Sequence, residues 1–233
     1  MDFDNFPNPT KRIHALEPVE NKYSYTDPPR YLIPPKNKLR IQFSKVLNNR
    51  RSIREFNRMK DEDLHKLLWF AAHTQSSFRE DGGYIWQHRA SPSAGGRHPI
   101  DIIICKLEQS PIVIFADLYD SASHSLRRLK TDRVQLVAFW TNVTQALEPQ
   151  DGTVLWFVAQ PERTLSKYEN GNALLLLDAG ALISTFSFVA SALGLNCCAV
   201  GCTGDPWITD ALDGQGKLIG TTGLVIGSPR KGS

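Results

Sequence analysis

The sequence predicts a layered domain of the α/β or α+β class, with apolar strands packed between helices. Three observations point there. Short β-branched and aromatic runs at 100–106, 111–116, 154–159 and 222–227 read as buried strands. The connections between them are long, and several carry apolar residues at helical spacing. The chain has 233 residues, 41% hydrophobic and 22% charged, which suits one large core or at most two small domains.

Residues 1–38 hold seven of the 14 prolines. Proline blocks regular helix and central strand, so this segment is an extended arm that wraps either the body or a partner subunit; 39–233 form the domain itself. Residues 39–47 suit a short amphipathic helix. Asp61, Glu62 and Asp63 open a second helix, where acids complement the dipole, and Leu64, Leu67, Leu68 and Ala71 share one of its faces. Residues 75–83 read as a polar loop. Residues 86–99, with two prolines, adjacent glycines and two serines, read as a loop with a demanding backbone.

One helix, 131–147, takes up much of the connection from the second strand to the third, with Val134, Val137, Ala138 and Thr141 on one face. Residues 166–172 are a polar lead-in to the longest apolar run, 172–195. Asp205 and Pro206 suit the N-cap and first position of a short helix reaching Leu212. Strand 222–227 and a basic tail follow.

The run 172–195 is long enough to cross a bilayer, but its pattern argues for a buried core or dimer helix. Gly180, Ser184, Ser187, Ser191 and Gly194 form a seam of small residues, and Ala179, Leu182, Phe186, Val189 and Leu193 form a bulky stripe. Its only charge is Asp178. No Lys/Arg cluster flanks it. The Gly-rich turn after it is a place where backbone can approach a ligand.

Net charge is +3, too mild and too dispersed for a nucleic-acid groove. The one basic cluster, Arg50, Arg51 and Arg54, suits a small anion. Cys105, Cys197, Cys198 and Cys202 fit neither a disulfide framework nor a zinc knuckle and read as buried thiols in a reduced compartment, with no metal site. The N-terminus lacks the pattern of a signal peptide, so a cytoplasmic, soluble protein is expected.

Three short motifs could carry chemistry. R-R-S-x-R at 50–54 offers guanidinium forks and a hydroxyl to a phosphate. S-P-S-A-G-G at 91–96 offers hydroxyls and bare backbone, without Rossmann, P-loop or nucleophile-elbow spacing. Lys167-Tyr168 pairs an amine and a phenol, either of which is a general acid or base where burial tunes it. Taken singly, these are a solvated helix end, a tight turn and an exposed loop.

Their order is more specific. R-R-S-x-R, then S-P-S-A-G-G-x-x-P before a strand, then K-Y before a D-A-G helix, G-L-x-x-x-x-x-G after it and V-I-G-S-P at the end resemble the flavin-dependent nitroreductase superfamily. More narrowly they resemble its SagB-type dehydrogenase branch, with the McbC-like azoline oxidases, over roughly 46–231. The resemblance implies an α+β nitroreductase-like fold with a central mixed or antiparallel sheet flanked by helices. It also implies a homodimer binding FMN at its interface, with the helix 172–195 packed there. Arg50, Ser52 and Arg54, with Arg51 as a further contact, would hold the FMN phosphate and ribityl chain, joined by Arg230 and Lys231. Pro92, Ser93, Ala94 and Gly95 would contact the flavin from the partner subunit, and Ala199, Val200 and Gly201 would turn backbone amides toward it. Lys167 and Tyr168 match the pair that removes a substrate proton.

The expected activity is oxidation of a C–N or azoline-type bond in an amino-acid- or peptide-derived natural-product intermediate, small or carrier-bound. NAD(P)H-dependent nitro- or quinone reduction and a non-catalytic scaffold are the alternatives. Two positions depart from the family pattern. After Lys167-Tyr168 the chain reads E-N-G-N, without the usual arginines and second tyrosine, and Ala181 stands where histidine often follows D-A-G.

Overall fold

Successive residues on the two central strands face opposite ways, and both faces are apolar; this decides the architecture. The computed structural model describes residues 7–14, 16–18, 22–79, 84–109, 112–212 and 217–230. In chain order the elements are β1 (Thr10–Lys11), β2 (Arg30–Tyr31), α1 (Phe43–Asn49), α2 (Asp61–Ala72), β3 (Ser76–Arg79), β4 (Ile85–His88), β5 (Ile100–Gln109), β6 (Ile112–Asp120), β7 (Ser125–Arg128) and α3 (Arg133–Ala146). Then follow β8 (Thr153–Ala159), α4 (Pro161–Leu165), β9 (Tyr168–Glu169), α5 (Asn172–Leu193), β10 (Asn196–Val200), α6 (Trp207–Ala211) and β11 (Ile219–Gly227).

Seven strands form one antiparallel sheet in the order β10-β11-β8-β5-β6-β7-β2. On one face Ile102, Ile104, Leu155 and Phe157 pack with Leu64 and Leu67 of α2 and Leu182 and Phe186 of α5. On the other, Ile103, Cys105, Trp156 and Val158 pack with Leu136 and Phe139 of α3 and Ile208 of α6. A sheet covered on both faces needs strands without polar alternation, and every residue of β8 is buried. This is the α+β arrangement, with a central antiparallel sheet flanked by helices.

Helix α5 buries Leu175, Asp178, Ala179, Leu182, Phe186 and Ala190 and stops at Gly194, whose φ of 69° is left-handed. It is long and apolar enough to cross a membrane, yet it packs along the sheet and α2. Its outer face stays bare: Leu176 and Leu177 are 44% and 66% exposed, and Gly180 and Ser184 of the small-residue seam are exposed too.

The arm wraps its own chain. Strand β1 pairs with β9, Tyr23 Oη donates to Asp101 at 2.9 Å, and β2 adds to the edge of the sheet beside β7.

Several sequence expectations need correction. Residues 76–79 and 85–88 are not plain loop: they form β3 and β4, which pair antiparallel, while 80–83 lie outside the described residues. Their polar, solvated ribbon shows no apolar alternation, and Phe78 stacks on Trp86 across it with ring centroids 4.8 Å apart. The helix in the connection before β8, which β7 precedes, buries Leu136, Phe139, Trp140 and Val143, not the face with Val134, which is 75% exposed. Both faces of α3 are apolar, and the bulkier one won the core. Asp205 does not cap α6. Its Oδ2 accepts from Gly220 N at 2.7 Å, tying the turn to β11, and Pro206 is the N-cap residue.

Buried His124 and half-buried His98 make stability depend on pH. Desolvation pushes both His98 and His124 down from 6.5 to about 4, with nearby cations or imidazoles adding to it. The unfolded chain therefore binds their protons more readily than the folded one. Their contribution is complete above about pH 6.5 and is lost as pH falls toward 4. Thermal melts should give a lower Tm at pH 5 than at pH 7, and His124→Gln should flatten that dependence.

Candidate functional site

Asp178, the lone charge of the apolar run, organises the S-P-S-A-G-G loop. Its Oδ2 accepts from Ser93 Oγ at 2.6 Å and its Oδ1 from Ala94 N at 3.0 Å. Ser93 Oγ in turn accepts from His98 N at 2.8 Å. Burial pushes the Asp178 carboxyl up, against the pull of these two donors. The loop then makes a single 3-10 turn over Ala94–Gly96. Its tightness needs left-handed backbone: φ is 60° at Gly95 and 66° at Gly96.

Gly95 is where the loop meets the candidate base. Lys167 Nζ donates to Gly95 O at 3.3 Å. A Cβ on Gly95 would stand 2.6 Å from Tyr168 Oη and 3.0 Å from Lys167 Nζ. Lys167 and Tyr168, both half-buried, lie between α4 and α5. The arm braces them from behind: Arg12 N donates to Lys167 O at 2.9 Å and Leu16 N to Ser166 O at 2.8 Å. Gly95→Ala, which adds strain of about 1–3 kcal/mol to that clash, should lower Tm by several degrees. Gly201→Ala, whose Cβ would meet nothing within 4 Å, should leave Tm of the flavin-free protein unchanged.

The basic segment lies at the other end of α5. Residues 50–56 run as irregular chain after α1, tied to β10 by Ile53 N to Cys197 O at 3.1 Å and Asn196 Nδ2 to Glu55 O at 2.8 Å. Arg51 Nη1 turns back onto Asn48 O and Arg50 O at 2.8 and 2.9 Å, closing the end of α1. Arg50 is half-buried, and Ser52 and Arg54 are exposed. Asn57 and Ser228 pair backbone to backbone, so the chain leading to exposed Arg230 runs beside this segment. Lys231 lies outside the described residues.

Ala199 and Val200 belong to a strand rather than a glycine-rich turn. Pairing with β11 across Asn196–Gly227 to Val200–Gly223 overrides the local glycines. β10 is the edge of the sheet, Ala199 is exposed on it, and the chain bends at Gly201. Cys105, Cys197 and Cys198 are buried free thiols, and desolvation pushes Cys197 up to about 12. Among the described residues no group of three or more His, Cys, Asp or Glu side chains is placed to hold a metal.

The predicted site residues thus fall into two groups. Pro92 to Gly95, Lys167 and Tyr168 gather at the start of α5, where sequence reasoning missed Asp178 as their anchor. Arg50, Ser52, Arg54, Ala199, Val200 and Gly201 gather past its end. Asp178 and Gly194 are separated by 16 positions of helix, about 24 Å of axis.

The model of the nitroreductase family matches residues 47–225. Among solved structures, a Ralstonia eutropha JMP134 protein described as a nitroreductase is 21% identical with a TM-score of 0.62, over 92% of this chain and 98% of that one. The Escherichia coli microcin synthetase McbBCD complex with truncated pro-MccB17 bound aligns over 87% of this chain and 79% of the matched one, at 18% identity and a TM-score of 0.58. An FMN-dependent nitroreductase from Clostridium difficile R20291 covers 82% of this chain and 89% of its own, at 17% identity and a TM-score of 0.50. No curated protein sequence matches. At these identities the structures speak for the fold, and the family model, spanning most of the chain, speaks for descent: the chain belongs to the nitroreductase family.

Proposed function

We propose that the protein is an FMN-dependent oxidoreductase of the SagB type, oxidising a C–N or azoline-type bond in an amino-acid- or peptide-derived intermediate. The observation that carries this is the packing of Lys167 and Tyr168 onto Gly95 of the S-P-S-A-G-G loop. An amine and a phenol placed against bare backbone suit removal of a proton from a substrate lying on that loop. The likeness to the microcin synthetase complex, which holds a truncated pro-MccB17, favours a peptide-derived substrate.

The residues fit a flavin mononucleotide. Among the described residues the side chains of Arg50, Ser52 and Arg54 make no hydrogen bond or ion pair with the protein, and a phosphate is the ligand that two guanidinium groups and a hydroxyl satisfy together. Open space at Gly201 and the exposed edge at Ala199 leave room for a planar group against backbone. Bound FMN supplies the two-electron acceptor. The chain supplies the rest: Arg50 and Arg54 hold the phosphate, the loop from Pro92 to Gly95 forms a floor, and Lys167 Nζ in its neutral form takes the substrate proton, with Tyr168 beside it.

The two groups stand too far apart along α5 for one mononucleotide to touch both. A second copy laid against the bare face of α5, with Leu176, Leu177, Gly180 and Ser184, would bring the start of one helix to the end of the other. A homodimer with FMN at its interface is therefore part of the proposal. Purified protein should show flavin absorption bands; a colourless protein that added FMN does not restore overturns it. Rapid bleaching of bound flavin by NAD(P)H, with no oxidation of thiazoline peptides, would make the protein a nitro- or quinone reductase instead.

A further inference from the structure

Arg12, on the N-terminal arm, grips three alternate residues of the segment that carries Lys167 and Tyr168. Its Nε donates to Leu165 O at 2.9 Å, its backbone N to Lys167 O at 2.9 Å, and its Nη1 to Glu169 Oε1 at 3.0 Å. Beside it, Lys11 and Thr10 pair with Tyr168 and Glu169.

The segment has little support of its own. Helix α4 has five residues and ends at Leu165, and the last carbonyls of a helix have no partner within it. An arginine side chain at a helix C-terminus satisfies such a carbonyl. Strand β9 has two residues, and β1 and β9 make a two-stranded sheet apart from the central one. Arg12 and Leu165 are 153 positions apart, so the tie is wholly tertiary. On the opposite side Lys167 Nζ donates to Gly95 O at 3.3 Å. Lys167 is thus held between the arm at its backbone and the loop at its amine. A lysine amine rides on a flexible four-carbon stem, and a stem fixed at its root restricts where the amine can go. The ion pair is the lesser part of the grip, because Glu169 is 57% exposed and such pairs contribute little. The two carbonyl contacts are what fix the backbone.

We infer that Arg12 is a positioning residue that sets the Lys167 amine against the Gly95 carbonyl. Its consequence for catalysis rests on Lys167 being the base, as proposed above; the placement of the amine does not.

In the full-length protein as purified, Arg12→Ala should lower kcat with a thiazoline peptide by about 10- to 100-fold, the cost of a reacting group displaced by about 1 Å. KM and flavin content should hold, and Tm should stay within a few degrees; a merely structural role would move them together. Arg12→Lys, whose one nitrogen can serve Leu165 O or Glu169 but not both, should recover part of the loss. A second readout needs neither flavin nor turnover: competitive acetylation with acetic anhydride, followed by mass spectrometry of the peptide bearing Lys167. Arg12→Ala should raise labelling of Lys167 relative to exposed Lys60 at least about threefold, because local opening frees the amine. Ile13→Ala, at a side chain 94% exposed on the same arm, should alter neither readout. Unchanged labelling in Arg12→Ala, an equal rise in Ile13→Ala, or a kcat that falls only in step with Tm and flavin content overturns the inference. If Arg12→Ala does not fold, Arg12→Lys carries both readouts. Labelling that rises while the unsubstituted protein turns over no thiazoline peptide, or while kcat stays unchanged, supports the placement of the amine and removes the reading of Lys167 as the base.

Discussion

Lys167→Ala is expected to lower turnover of a thiazoline-bearing peptide by about 100- to 10,000-fold, the usual worth of a positioned general base. Flavin content and Tm should change little. The backbone at Lys167 is held independently of its side chain, by its own N–H to Thr164 O at 3.0 Å and by Arg12 N on its carbonyl at 2.9 Å. What the substitution removes is the Nζ that reaches Gly95 O. Steady-state kinetics should therefore show the loss in kcat rather than in KM. Partial rescue by an added primary amine would identify the missing group as a base, because a merely structural lysine would not be replaced from solution. Tyr168→Phe removes only the hydroxyl that stands nearest Gly95 and should cost less, about tenfold. Unchanged turnover in Lys167→Ala would remove the base assignment and with it the main support for dehydrogenation.

The strands at the centre of the sheet could be read from the sequence because burial on both faces leaves one pattern, an unbroken apolar run, as in Thr153–Ala159. Helix α5 could be read for a related reason: its bulky stripe and small seam separate the face it buries from the face it bares. The hairpin β3–β4, the short β7 and α4 carry no such pattern. Ser76 to Arg79 are all exposed, so no periodic burial marks them, and pairing alone makes them a strand.

The same distinction divides the site. Lys167-Tyr168 and S-P-S-A-G-G were recognisable as motifs, because unusual residue types sit close together in the chain. Their meeting at Gly95 was not, since 72 positions separate Gly95 from Lys167 and only the tertiary fold closes that distance.

Asp178→Ala should lower Tm by about 10 °C and, with it, disorder the loop against which Lys167 and Tyr168 pack. The carboxylate is not a strong stabiliser on balance, because burial raises its pKa despite two donors. The cost of deletion comes instead from what it leaves behind. Ala94 N and Ser93 Oγ lose their acceptor inside the fold, at about 1–3 kcal/mol each, and about 3 kcal/mol in total corresponds to roughly 6–12 °C in a domain of this size. Asp178→Asn separates these effects. The amide oxygen can still accept from Ala94 N, and its nitrogen can donate to Ser93 Oγ once the hydroxyl turns, so about 1 kcal/mol is expected. The amide also has no ionisation to resist. A carboxyl whose folded pKa is raised loses stability as pH climbs through its range, so the Asn variant should close part of its deficit at neutral pH relative to pH 4. Thermal melts at the two pH values measure this directly. Equal losses for Ala and Asn would mean that the charge itself, rather than the two satisfied donors, holds the loop, and the only charge in the most apolar stretch of the chain would then be there to be ionised.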